Sequence, residues 1–259
     1  MRRVTAGNIA RRKGGEPFAV MTAYDAPFAR CVEEAGIDVI LVGDSVGMVV
    51  LGYDSTIPVT LEDMVHHTAA AARGAHKAHI VADLPFGSYQ AGDEDAIRSA
   101  SRLIQEGGAT SVKLEGGTQA VTRIRAIVDA GIPVMAHIGL LPQTAGLGPG
   151  YKARADLDTL RADALAAQSA GAYAVVFEVV DAQIAATLTA ELIIPTIGIG
   201  SGPACDGQVL VLHDLLGLFP RAPSFVKRYA DLNTIVVNAL RNYAQEVREK
   251  KFPSVPTAH

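Results

Sequence analysis

The chain has 259 residues, 49% hydrophobic and 19% charged, with 25 glycines and 13 prolines; this is the composition of a packed globular protein and excludes a disordered or collagen-like chain. Lys plus Arg number 23 against 27 for Asp plus Glu, a net charge of −4, so there is no cationic excess to meet a nucleic-acid backbone. With 5% aromatic residues and no Trp, little material exists for base stacking or for aromatic anchors at a protein interface.

The N-terminus is basic, with Arg2, Arg3, Arg11, Arg12 and Lys13, but no apolar run follows, which argues against a secretory signal. Short β-rich apolar runs then recur and predict strands at Phe18–Met21, Val39–Gly43, Ile80–Asp83, Ser111–Glu115, Val134–Ile138, Ala174–Glu178, Thr196–Ile199 and Val209–Leu212. The lead-ins Glu34-Ala35-Gly36, Glu106-Gly107-Gly108, Asp129-Ala130-Gly131 and Ser169-Ala170-Gly171 place Gly where a left-handed residue closes a helix. Between strands lie alanine-rich helical stretches, Leu61–His76 opened by Thr60 and Asp158–Ser169 opened by Asp156 or Asp158. A last helix is expected from about Tyr229 to Lys250, followed by a disordered tail, Phe252–His259. Continuously apolar strands belong to parallel sheets covered on both faces. About eight βα units without a linker predict one (β/α)8 TIM barrel domain over residues 1–259, with a doubly wound sheet as the alternative.

The longest stretch without formal charge, Ala130–Tyr151, is broken by Pro133, Pro142 and Pro149, so no membrane helix is expected there. Cys31 and Cys205 form neither a disulfide framework nor a CxxC pair, and a reducing, cytoplasmic setting is the simplest reading.

Catalytic groups of such barrels sit at the carboxyl ends of the strands, and here the strand ends carry acids. Asp44, Asp83, Glu115 and Glu178 each close an apolar run. Four carboxylates on one rim repel one another unless a hard cation accepts their oxygens, so a magnesium-type site is expected. The seven histidines show no zinc-ligand grouping. Singly, each acid could equally be a helix cap. Lys113 shares a strand face with Glu115; it could be a Schiff-base nucleophile, a cation for a substrate carboxylate, or the partner of a buried acid. His137 shares a face with Met135 and points to the same rim, as a structural histidine or a substrate contact. Glu178 lies among Val175, Val176, Phe177, Val179 and Val180; apolar surroundings raise a carboxyl pKa as a general base requires, although Phe177 and Val179 face away.

Three patterns compete with this reading. Gly43-Asp44-Ser45-Val46-Gly47 satisfies the nucleophile-elbow pattern of serine hydrolases, but Met48 to Gly52 shows no helical punctuation after it. Gly198-Ile199-Gly200-Ser201-Gly202 resembles a phosphate loop, or is a close-approach turn. Pro142–Tyr151, ahead of Lys152 and Arg154, reads as a flexible lid or an ordinary loop.

The motifs Thr22-Ala23-Tyr24-Asp25, Gly43–Met48, Asp54–Thr60, Ala82–Phe86, Val112–Gly117, His137–Leu140 with Pro142-Gln143, and Ile197–Gly200 with Asp206–Gln208 occur in one order. Together they closely resemble the ketopantoate hydroxymethyltransferase family, over about Thr5 to Tyr229. The resemblance implies a barrel of the phosphoenolpyruvate/pyruvate superfamily, a step of pantothenate synthesis, Mg2+, 5,10-methylenetetrahydrofolate as one-carbon donor, 3-methyl-2-oxobutanoate as substrate, and a homodecamer. It implies Asp44, Asp83 and Glu115 as the metal site and Ser45 and Lys113, with Asp44 and Asp83, as substrate contacts. Glu178 is implied as the proton acceptor and His137 as a possible substrate contact. One departure is the lid, where Leu147–Ala155 stands in place of the family's longer polar insertion. The alternatives are a Mg-dependent phosphoenolpyruvate mutase or isocitrate lyase-type enzyme, a Schiff-base aldolase using Lys113, and a non-catalytic ligand-binding barrel.

Overall fold

Eight parallel strands close into a barrel in sequence order in the computed structural model, which describes residues 3–145, 147 and 155–253. They are β1 (Phe18–Thr22), β2 (Val39–Val42), β3 (His79–Asp83), β4 (Ser111–Glu115), β5 (Val134–Gly139), β6 (Ala174–Glu178), β7 (Thr196–Ile199) and β8 (Gly207–Leu210). The barrel closes where Phe18 pairs with Gly207. The last strand begins earlier than its apolar run suggests, because Gly207 and Gln208 are poor strand formers and hide its start. Gly207 is required at the closure, since a Cβ there would meet the Phe18 ring at 2.9 Å.

The helices in chain order are α1 (Ala6–Ala10), α2 (Ala26–Glu34), α3 (Val46–Val49), α4 (Leu61–Gly74), α5 (Asp93–Gln105), α6 (Val121–Asp129), α7 (Pro142–Ala145), α8 (Leu157–Ser169), α9 (Ala182–Glu191), α10 (Leu212–Leu215) and α11 (Leu232–Arg248). Thr60 and Asp63 form a reciprocal capping box at α4, and Asp156 caps α8. Gly36, Gly108, Gly131 and Gly171 all lie at positive φ, between 70° and 99°, as helix-stopping residues. The regular βα repeat fails once: Gly200–Asp206 joins β7 to β8 without a helix.

Strand alternation builds the interior in layers. Val20, Val39, Leu41, Val81, Met135, Val176, Ile197 and Val209 form an apolar cluster, plugged by Ile9 of α1. One pleat period towards the carboxyl ends, the same faces carry Asp83, His137 and Glu178. One period the other way, His79 Nε2 lies 2.8 Å from Ser111 Oγ, which lies 2.9 Å from the Tyr173 hydroxyl. Burial holds His79 neutral, its pKa lowered to about 4, and its Nδ1 lies 3.1 Å from the Val4 carbonyl. This end anchors the N-terminal segment through the Val4 carbonyl.

Contacts within the chain define a barrel unit, Met1–Val211, and a second compact unit, Leu212–His259. In the second, Tyr229 N donates to Leu215 O (2.9 Å) and Leu232 N to Leu216 O (2.9 Å). The Asp231 carboxylate caps α11 through Thr234 N, so the helix starts at Leu232, not Tyr229. No residue of α11 is buried, and Ile235, Val236, Leu240, Tyr243 and Val247 are exposed. Most of the expected disordered tail, residues 254–259, lies outside the described residues. No helix among the described residues is long and apolar enough to cross a membrane.

Candidate active site

Register brings the predicted residues together. Asp83 pairs with Lys113 across β3 and β4, Glu115 with His137 across β4 and β5, and Gly139 with Glu178 across β5 and β6. Asp44 and Ser45 sit just beyond β2. Asp44, Asp83, Lys113, Glu115 and His137 are all buried, whereas the Glu178 side chain is 19% exposed. A chain of polar contacts crosses the rim: Lys113 Nζ lies 3.0 Å from Asp83 Oδ2 and 3.3 Å from His137 Nδ1, and His137 Nε2 lies 3.2 Å from Glu178 Oε2. Asp83 Oδ2 also accepts from Asp44 N at 3.1 Å. An ammonium has no acceptor, so Nδ1 of His137 must accept, which assigns the ring proton to Nε2, facing Glu178. Glu178 therefore lies beside an imidazole N–H that makes no hydrogen bond of its own among the described residues, and beside an opening to solvent, not in the apolar surroundings its sequence neighbours suggest.

Electrostatics follow from burial and like charge. Burial raises the Asp44 pKa and Asp83 raises it further, to about 7, against the pull of Lys113 and a hydrogen bond from Gln143. Glu115 is raised well above the carboxylate range by burial and then by Asp44. Burial alone would depress Lys113, but Asp83, Glu115 and Asp44 reverse this and raise its pKa. Asp83, 3.0 Å away, thus favours the charged form of Lys113 over the free amine a Schiff-base aldolase needs. Burial lowers the His137 pKa, and Lys113 lowers it further, keeping the ring neutral.

One ammonium cannot balance three ionised carboxylates, so Asp44 and Glu115 either keep protons or share a cation. Asp83 Oδ1 and Glu115 Oε1, both buried, have no hydrogen-bond partner among the described residues. No group of three or more His, Cys, Asp or Glu side chains among the described residues converges into a ready metal cage. Sparse, hard oxygen donors fit a divalent cation that completes its shell with water or substrate oxygens, as Mg2+ does.

This balance sets a pH dependence. Between pH about 3.8 and about 7 the folded state holds a proton on Asp44 that the unfolded chain releases, so stability falls as pH rises through that window. Denaturant unfolding of EDTA-treated protein is expected to lose about 3 kcal/mol from pH about 5 to about 8, and excess MgCl2 to flatten the slope. A slope indifferent to Mg2+ would contradict the cation site.

Backbone geometry fixes the far side of the rim. Val179, next to Glu178, has φ of 50°, a left-handed conformation rare for a β-branched residue. Its N–H donates to Ile199 O at 2.9 Å; the Ser201 hydroxyl accepts from Val180 N at 3.0 Å and donates to Phe177 O at 2.7 Å. A Cβ on Gly139 would fall 2.4 Å from Glu178 O, so glycine alone lets β5 approach this strand end.

The competing motifs resolve on geometry. Ser201 is turned into the fold and a Cβ on Gly202 would meet Ala182 Cβ at 2.6 Å, so Gly198–Gly202 is a close-approach turn. A helical turn, α3, does follow Ser45 at once, contrary to the sequence reading; the Val46–Val49 segment is too apolar and short to show helical periodicity. Ser45 nonetheless has ordinary right-handed backbone (φ −53°), and its hydroxyl lies 2.9 Å from that of Tyr24, so the strained hydrolase elbow is missing. Residues 146 and 148–154 of the expected lid, including Lys152 and Arg154, lie outside the described residues. Sequence reasoning passed over Gln143 and Tyr89 as site residues. Gln143 reaches Asp44 and Glu115, and Tyr89 reaches Gln143.

The fold is that of TIM-barrel enzymes, and the buried polar cluster lies at the carboxyl rim, where such barrels carry their chemistry. The fold is shared with 2,3-dimethylmalate lyase, described as a PEP mutase/isocitrate lyase superfamily member (TM-score 0.61, 18% identity, covering 98% of this chain and 91% of the other). It is shared too with phosphoenolpyruvate phosphomutase from Streptomyces platensis subsp. rosaceus (TM-score 0.65, 15% identity, 95% and 88% covered). A family model described as ketopantoate hydroxymethyltransferase matches residues 3–255. The 3-methyl-2-oxobutanoate hydroxymethyltransferase of Carboxydothermus hydrogenoformans is 54% identical over 259 residues, covering 98% of this chain and 94% of that protein. The chain belongs to the ketopantoate hydroxymethyltransferase family, the hydroxymethyltransferases of ketopantoate synthesis in pantothenate biosynthesis. The mutase and lyase alternative is left with likeness of fold alone.

Proposed function

We propose that this chain transfers a hydroxymethyl group from 5,10-methylenetetrahydrofolate to 3-methyl-2-oxobutanoate, giving 2-dehydropantoate by enolisation and aldol-type addition. The observation that carries this reading is the half-open Glu178 carboxylate, set 3.2 Å from a neutral imidazole at the edge of a buried, oxygen-rich cluster. Asp44, Asp83 and Glu115 would hold Mg2+. When bound, the ion supplies Lewis-acid polarisation of the keto group.

Lys113, a fixed cation, and Ser45 orient the substrate carboxylate. Glu178 takes the C3 proton as general base, with the neutral His137 ring 3.2 Å away. C3 then bonds to the one-carbon unit as both folate C–N bonds to it are broken, and water supplies the hydroxyl oxygen and releases tetrahydrofolate. The reading needs small-molecule substrates and neither nucleic acid nor membrane, and it suits a cytoplasmic setting with Cys31 and Cys205 free. Assembly into a homo-oligomer, a decamer by family resemblance, is supported by the exposed Ile235, Leu240 and Tyr243 of α11.

The test follows the C3 proton of 3-methyl-2-oxobutanoate by NMR in D2O before folate is added. Exchange that requires both enzyme and Mg2+ is expected. No exchange, with tetrahydrofolate absent or present, would overturn the substrate assignment.

A further inference from the structure

Gln143 carries no charge and cannot act as acid or base, yet it is buried between the acids and has every polar atom of its side chain engaged. Its Nε2 donates to Asp44 Oδ2 (2.8 Å) and to Leu84 O (2.9 Å), while its Oε1 accepts from the Tyr89 hydroxyl (2.7 Å) and Gln90 Nε2 (3.4 Å). Its backbone N–H donates to Glu115 Oε2 at 3.2 Å. A carboxamide has one donor end and one acceptor end, so a carboxylate and a carbonyl on one side with a hydroxyl on the other permit a single orientation. Tyr89 is itself buried and touches Glu115 O at 3.2 Å; burial raises its pKa, so the phenol stays a donor.

We infer that Gln143 is the positioning residue of the cation site, fixing Asp44 through its side chain and Glu115 through its main chain, with Tyr89 setting the orientation of the amide. This rests on the cation reading under Proposed function. Each hold takes one carboxylate oxygen, Oδ2 of Asp44 and Oε2 of Glu115, and Glu115 Oε1 is left without a hydrogen-bond partner. Ionised without a cation, these two side chains repel and turn apart, and a cation must then reorganise them on binding. Held in advance, they meet it without that cost, which is the usual role of the groups behind metal ligands.

Mn2+ titrated against the loss of its free EPR signal tests this without reference to turnover. The proteins are wild type, Gln143→Leu, Tyr89→Phe, the double variant and Asp83→Asn. Wild type is expected to bind Mn2+ and Asp83→Asn to bind it poorly. Gln143→Leu is expected to weaken binding on the order of tenfold to a hundredfold. Tyr89→Phe removes one oxygen from an otherwise intact fold and is expected to weaken binding about threefold to fivefold, with the double variant no weaker than Gln143→Leu, because Tyr89 acts through Gln143. Wild type that fails to bind Mn2+, or Asp83→Asn that binds it normally, overturns the cation reading itself. Wild type and Asp83→Asn behaving as expected, with Gln143→Leu and Tyr89→Phe both within twofold of wild type, overturns the role of Gln143 alone. Fully additive effects in the double variant overturn the route through Tyr89.

Discussion

Glu178→Gln is expected to lower the rate of C3 proton exchange in 3-methyl-2-oxobutanoate by at least about a thousandfold, within the range of general-base contributions, and to leave keto-acid binding nearly intact. The amide has the same shape and keeps its place 3.2 Å from His137 Nε2. The backbone that aims the side chain is held independently, through Val179 N to Ile199 O and Val180 N to Ser201 Oγ. What is lost is basicity alone. Exchange by NMR and keto-acid affinity by calorimetry separate the two effects, and unchanged exchange would rule Glu178 out as the base.

Lys113→Met is expected to carry the largest stability cost. It removes the ammonium 3.0 Å from Asp83 Oδ2 and leaves Asp44, Asp83 and Glu115 buried in close company. Removing one partner of a buried ion pair costs about 3–5 kcal/mol, a large part of the 5–15 kcal/mol that typically separates folded from unfolded chains. The sign with pH is fixed: without Lys113, which lowers both Asp44 and Glu115, their folded-state pKa values rise further above the unfolded ones. The folded state then binds more protons than the unfolded state, and stability falls more steeply as pH rises. Denaturant unfolding at several pH values checks this. A loss under about 1 kcal/mol that is flat in pH would mean the acids do not depend on this cation.

The sequence exposes those parts of the molecule that obey a period or carry a charge. Apolar runs and left-handed glycines locate most strands and helix stops, as at Gly131 and Gly171. Alternation from Val81 to Asp83 and from Met135 to His137 places side chains on the right face before any register is known. Uncharged or conformational features stay hidden. Gln143 and Tyr89 are neutral, and they meet Asp44 and Glu115 only once α7 is laid beside the rim. The contact between His137 and Glu178 depends on the offset of β5 against β6, which no local pattern encodes. The helix-free passage from β7 to β8 breaks a repeat the other units keep.

The left-handed backbone at Val179 is a strained hinge next to Glu178. Non-glycine residues held in this region cost on the order of 1–3 kcal/mol, a strain that glycine at position 179 would release while also loosening the unfolded chain and giving up the half-buried Val side chain. The same change would add a swivel directly after Glu178. Thermal engineering of this barrel therefore has a position to avoid, because a change there would be felt first at Glu178.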